Sequence, residues 1–154
     1  VKRCGPLAGP EAATLLGSLG TYHSPSNPDP QRPGSFGIYL NGQWSRLDID
    51  PDRIPAHDPI GSLDVSLLHD LILDPILDIA DERTDPAIEF VGGIRGNTAL
   101  AARVDELGDA VAFSLNPTTI DQLLAVADAD RCMPPKSTWF EPKLRSGLFI
   151  HPLA

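Results

Sequence analysis

The spacing of apolar positions along the chain changes several times, and each change marks an element. Phe36, Ile38 and Leu40 alternate ahead of Asn41-Gly42, with Trp44 and Leu47 beyond it. Asn-Gly readily takes the positive φ values of a type I′ turn, so a β-hairpin is predicted here. From Asp64 the period lengthens: Leu67, Leu68, Leu71 and Ile72 recur at helical spacing, with Asp64 the expected N-cap and Pro75 expected to end or kink the helix. Residues 88–91 read as a strand running into Gly92-Gly93-Ile94-Arg95-Gly96. Asn97 or Thr98 is then expected to cap a helix with Leu100, Ala101, Val104 and Leu107 on one side and Gly108 past its end. Residues 110–115 are apolar except for Ser114, as a strand covered on both faces would be. Asn116-Pro117 is the expected start of a further helix, with Ile120, Leu123, Leu124 and Ala127 as its apolar stripe. Residues 148–150 are predicted as a last strand.

Strand, helix, strand, helix, strand implies crossover connections. The expected class is α/β (or α+β): a mixed, partly parallel sheet with flanking helices and a β-hairpin on its N-terminal side. Residues 1–35 are expected to be loop-rich, because prolines stand at 25, 28, 30 and 33, with one short helix from Glu11 that places Leu15, Leu16 and Leu19 on a face. Residues 36–154 are expected to be the C-terminal α/β domain of a longer protein, since the chain begins at Val1 and its single methionine is Met133.

Composition narrows the picture. A length of 154 residues suits one domain. Cys4 and Cys132 are far apart, with no CxxC and no histidine at ligand spacing, which argues against a zinc site or a disulfide framework and for a reducing cytoplasm. No apolar run reaches about 18 residues and none has a basic flank, so neither a membrane span nor an export signal is expected.

Charge is unevenly distributed. The net charge of −9 divides into +2 over residues 1–47, −14 over 48–130 and +3 over 131–154. Phosphate contacts need Lys and Arg, so the acidic middle argues against a nucleic-acid partner. Two of the three lysines, Lys136 and Lys143, fall in the basic end.

Two constellations suit chemistry. The first is the turn Gly92-Gly93-Ile94-Arg95-Gly96-Asn97 between strand and helix, where small residues let amides converge on an anion and Arg95 adds a full charge. Its spacing is not GxGxxG and no P-loop lysine follows, and a tight turn with close packing would account for the same residues. With parallel strands it would lie beside Ser114, Asn116, Thr118 and Thr119. The second is the segment from Pro134 to Gly147. It combines Lys136, Lys143 and Arg145 with Ser137, Thr138, Trp139 and Phe140, a set suited either to holding a phosphate or carboxylate or to anchoring the loop. The expected binding residues are therefore Lys136, Ser137, Thr138, Lys143, Arg145, Gly92, Gly93 and Arg95. His69-Asp70 and the other histidines show no Ser/His/Asp spacing, and the paired acids lack the spacing of an EF-hand.

Residues 63–77, 88–93, 111–118 and the run MPPKSTWFEPKLRSGLFIH at 133–151 resemble the C-terminal part of a bacterial and archaeal family catalogued as domain of unknown function 1015. The resemblance covers most of residues 36–151 in order. Members are longer, and their preceding part carries a Gly-His-His-Arg type motif that looks like one in the partition-protein/sulfiredoxin superfamily, which includes free serine kinases. Some of the family's genes lie beside serine-biosynthesis genes. The resemblance implies a cytosolic small-molecule kinase using a nucleotide with Mg in the complete protein, and a small anionic or hydroxylated metabolite such as serine as partner. The histidine-rich motif is absent from this chain, so its expected contribution is anion binding. The alternative is a non-catalytic module that packs against the rest of its polypeptide, or forms a homodimer through the hairpin face around Tyr39 and Trp44.

Overall fold

The computed structural model describes residues 1, 5–24, 27–135 and 137. Lys136, Thr138, Lys143, Arg145 and the predicted strand at 148–150 lie outside the described residues.

The hairpin forms as its turn dictates. Strands β2 (Ser35–Leu40) and β3 (Gln43–Ile49) pair antiparallel from Ser35↔Asp48 to Leu40↔Gln43. Asn41 and Gly42 take φ of 51° and 77° between them, the two positive values of a type I′ turn. Strand β1 (Gly20–His23) pairs antiparallel with β3, and β4 (Ala112–Leu115) pairs antiparallel with β2, giving the order β1-β3-β2-β4. The class is mixed α and β as expected, but among the described residues every strand pairing is antiparallel rather than partly parallel. The free side of β2 is taken by β4 in register Phe36↔Leu115 to Tyr39↔Ala112, and residues 88–91 form no strand among the described residues. Glu89 is instead held by Arg103 on a neighbouring helix, and Phe90 is 54% exposed.

Every residue of β2 is buried, because both faces of the sheet are covered. On one face Phe36, Ile38, Leu40, Leu47 and Ile49 pack with Leu7, with Leu16 and Leu19 around helix α1 (Ala12–Gly17), and with Leu67, Ile72 and Leu77 from residues 64–77. Residues 1–35 thus supply the expected short helix, and also an edge strand and part of the main core. On the other face Tyr39 and Ala112 pack with Val104, beside Leu100, Ala101 and Leu107 of helix α4 (Gly96–Leu107). This is the side of α4 that the sequence marks as apolar, and Gly108 closes the helix at φ 77°. The Tyr39 and Trp44 face is accordingly packed against α4, with Tyr39 Oη donating to both oxygens of Asp105 at 3.0 and 3.1 Å.

Residues 64–77 run as α2 (Asp64–Leu68), a π-helical turn (His69–Leu73) and α3 (Asp74–Leu77). The N-cap is Leu63 and Asp64 makes no capping bond; its carboxylate turns inward and accepts from the Gly34 amide at 2.7 Å. Pro75 does not end the helix. The preceding turn is wide, with Asp74 N–H bonded to the carbonyl of His69, and the helix continues to Leu77 before Asp78 stops it in the left-handed conformation.

Helix α5 (Ile120–Asp128) also departs from expectation at its start and on its face. Thr119, not Asn116, is the N-cap, in a capping box with Gln122. The box fixes which side looks inward: Val126 is buried, while Ile120 and Leu124 are 74% and 53% exposed.

Candidate functional site

The expected anion site at the glycine turn is built differently from the sequence picture. Gly93–Arg95 form a single 3₁₀ turn leading into α4, and Arg95, not Asn97 or Thr98, occupies the N-cap position, without a side-chain capping bond. Gly92 and Gly93 are exposed, and a Cβ added to either meets nothing within 4 Å, so close packing is not their reason. The Asn97 amide donates to the Asp29 carboxylate, which places the chain's own anion at this end of α4. Arg95 is exposed and lines a groove of about 300 Å³ with Glu89, Val91, Ala99, Ala102, Arg103 and Glu106. Its other cation is committed: Arg103 donates to Glu89 at 3.0 Å and to Glu106 at 2.6 Å, which raises its pKa above the ordinary arginine value. With the sheet antiparallel and 88–91 outside it, the premise that sets this turn beside Ser114, Asn116, Thr118 and Thr119 is gone.

A second groove, of about 260 Å³, is lined by Asp58, Ile60, Gly61, Val65, Ser66, His69, Asp70, Glu82 and Pro134. Helix α2 and the π turn bring Ser66 and His69 to one wall, one helical turn apart. The loop after α3 brings Glu82, whose Oε2 lies 3.1 Å from His69 Nδ1. This is a contact of ion-pair length in which the ring N–H does not complete a hydrogen bond. Both side chains are about a quarter exposed, His69 26% and Glu82 29%, so the pair is reachable from solvent. The contact sets a carboxylate beside Nδ1 of an imidazole that lines the groove. Asp58, another lining residue, stands in an Asx turn. The amides of Gly61 and Ile60 hold its carboxyl below the ordinary range, Ile60 N–H donating at 3.0 Å, and Arg131 adds a favourable charge.

The expected basic site meets this groove at one point. Pro134 forms part of its wall, and Ser137, the only member of the Lys136, Ser137, Thr138, Lys143 and Arg145 set among the described residues, is fixed just beyond it. Ser137 Oγ donates to the Pro134 carbonyl at 2.5 Å, and the Ser137 carbonyl accepts from Thr118 Oγ1 at 2.9 Å. Its hydroxyl is therefore engaged within the chain. Arg95 and Pro134 line different grooves, and the cations of the second basic element, Lys136, Lys143 and Arg145, lie outside the described residues.

His69 and Glu82 are 13 positions apart and form no motif. The one available signal was His69-Asp70 on the helical pattern, which carries no distance to Glu82. Among the described residues no three His, Cys, Asp or Glu side chains converge as a metal site, and no helix is long and apolar enough to cross a membrane. No family model, curated protein or solved structure matches the chain.

Proposed function

We propose that the chain is the ligand-binding domain of a cytoplasmic small-molecule enzyme of the serine-kinase type, with the His69 groove as the place where a hydroxylated metabolite is held. The observation that supports this most is that Pro134, which in the sequence precedes Lys136, Ser137, Thr138, Lys143 and Arg145, lines the groove containing the His69–Glu82 pair. In this reading His69 Nε2 takes the proton from the substrate hydroxyl as its oxygen bonds to the incoming phosphorus. The bridging bond to the nucleoside diphosphate breaks with its electron pair. Lys136, Lys143 and Arg145 neutralise phosphate charge, since phosphoryl transfer depends mainly on positioning and electrostatics. The kinase assignment and the nucleotide come from the family resemblance, and the groove comes from the packing of residues 58–82 and 134.

The test is thermal melting of the chain with a panel of hydroxy amino acids, nucleotides and their phosphorylated products. A ligand held in the groove raises the melting temperature in the wild type and fails to do so in His69→Gln. In the complete polypeptide, Lys136→Ala/Arg145→Ala lowers turnover without lowering the melting temperature; normal turnover in that double variant removes the phosphate-holding role.

A second reading, a non-catalytic packing module, draws on a different observation. Ile120 and Leu124 stand one turn apart on the outer face of α5 and are more than half exposed. Sedimentation of the wild type and of Ile120→Lys/Leu124→Lys tests it, a change in association state supporting the module.

A further inference from the structure

We propose that the outer edge of β4 is a docking site for one further strand, and that its occupant is the stretch of polypeptide leading into Val1. The inference rests on the reading of this chain as part of a longer protein and names where the preceding part meets it. The Val1 nitrogen donates to the Val111 carbonyl at 2.7 Å, and the Val111 N–H donates to the Val1 carbonyl at 3.0 Å. Two residues that exchange both bonds stand directly opposite each other in an antiparallel pair. Each residue before Val1 then falls opposite one after Val111, so a chain entering at Val1 runs along Ala112–Leu115.

Val1 sits on the side of Val111 that faces away from β2. Leu40 and Gln43 flank a two-residue turn and are therefore a hydrogen-bonded pair, so Leu40 turns its N–H and C=O toward β3 and Tyr39 turns its own toward β4. Ala112 and Ser114 accordingly bond β2, while Val111, Phe113 and Leu115 direct their backbone groups outward. β4 ends the sheet, and among the described residues nothing bonds the outward groups of Phe113 and Leu115. Ala112-Phe113-Ser114-Leu115 holds no charge and no proline, the residues that keep an edge from pairing. The side chains agree with this register. Val1 and Val111 both pack with the main core, as opposite residues of a pair must, and Phe113 and Leu115 follow on that face only partly buried. The residues two and four places before Val1 would cover them, so these two places are expected to be apolar. The residues one and three places before it would face the α4 side, where Ala112 points.

Amide hydrogen exchange by NMR tests this on two forms, the chain from Val1 and the complete polypeptide with its own upstream residues. In the chain from Val1, the Phe113 and Leu115 amides are expected to exchange at least about tenfold faster than Ser114, and in the complete polypeptide to slow by about a hundredfold. Val1→Pro in the complete polypeptide removes the donor to Val111 and is expected to speed exchange at Phe113 about tenfold, while Ser114, bonded to β2, reports that the sheet is intact. Asp at the two upstream places opposite Phe113 and Leu115 is expected to do the same. Unchanged exchange in the complete polypeptide, or full protection of Phe113 in both variants, overturns the proposal. So does protection already present in the chain from Val1: if it depends on concentration a second copy fills the edge, and if it does not another segment of the same chain does. Charged residues at both expected apolar places, or a natural protein with no residues before Val1, overturn it as well. The His69 groove includes no residue of β4, so its ligand test and this one fail separately.

Discussion

The Asp64 carboxylate and the Gly34 amide are 30 positions apart and meet in a buried hydrogen bond of 2.7 Å. The bond ties the first turn of α2 to the entry of β2, the central strand. It also leaves a charged group 7% exposed with Oδ2 short of a hydrogen bond among the described residues. Burial pushes the Asp64 carboxyl above its ordinary value of 3.8, and the Gly34 and Asn116 amides pull in the opposite direction without cancelling it.

Between the ordinary value and the raised one, the native state holds a proton that the unfolded chain has released, so stability falls as pH rises through that window. Asp64→Asn keeps an acceptor for Gly34 and removes the titration. The expected result is a melting temperature that depends less on pH above 3.8 than in the wild type. Asp64→Ala strands the buried Gly34 N–H and should cost about 1–3 kcal/mol in chemical denaturation.

Tyr39 gives an alkaline counterpart. Burial and the adjacent Asp105 carboxylate hold its phenol above the ordinary 10.0. The native state therefore keeps this proton after the unfolded chain has lost it, and stability declines as pH rises past 10.0. Tyr39→Phe should flatten that decline in melting curves, while loosening α4 from β2 enough to raise amide exchange in α4.

Glycine positions are expected to divide sharply. A Cβ on Gly20 would stand 2.0 Å from the Asp48 carbonyl oxygen and 2.9 Å from the Asp50 nitrogen, both backbone atoms of the neighbouring strand region. Gly20→Ala must part β1 from β3 and should cost about 3 kcal/mol. Gly92→Ala and Gly93→Ala meet open space and should stay within about 0.5 kcal/mol of wild type by urea denaturation.

For the site, Glu82→Gln should separate binding from folding. The partly exposed pair contributes less than about 1 kcal/mol, so the melting curve should hardly move. The imidazole loses the carboxylate 3.1 Å from Nδ1, and the rise in melting temperature that a ligand of the groove produces should shrink.

Local signals in the sequence carried over where one segment sufficed. Asn41-Gly42 specified its hairpin because both turn residues need positive φ, and Leu100, Ala101 and Val104 specified the buried side of α4. The failures share a cause: the partner lay elsewhere in the chain. Residues 88–91 have strand-like composition, but β4 takes the place beside β2 and Arg103 takes Glu89. Asn116-Pro117 looks like a helix start, but the Thr119–Gln122 capping box forms three residues later and turns Ile120 outward. His69 and Glu82 were invisible as a pair for the same reason. Their approach depends on a helix changing its width and a loop returning to meet it.

That change of width amounts to one residue: a π turn holds one more than the α-helical turn it replaces. Deleting one residue within His69–Leu73 would restore α-helical bonding and rotate everything upstream by about 100° relative to Ile76 and Leu77. Either Leu67 and Leu68 would then leave the core, with Ser66 carried out of the groove, or Leu77 would leave it. The extra residue keeps the apolar positions on the two sides of the turn in phase with one core.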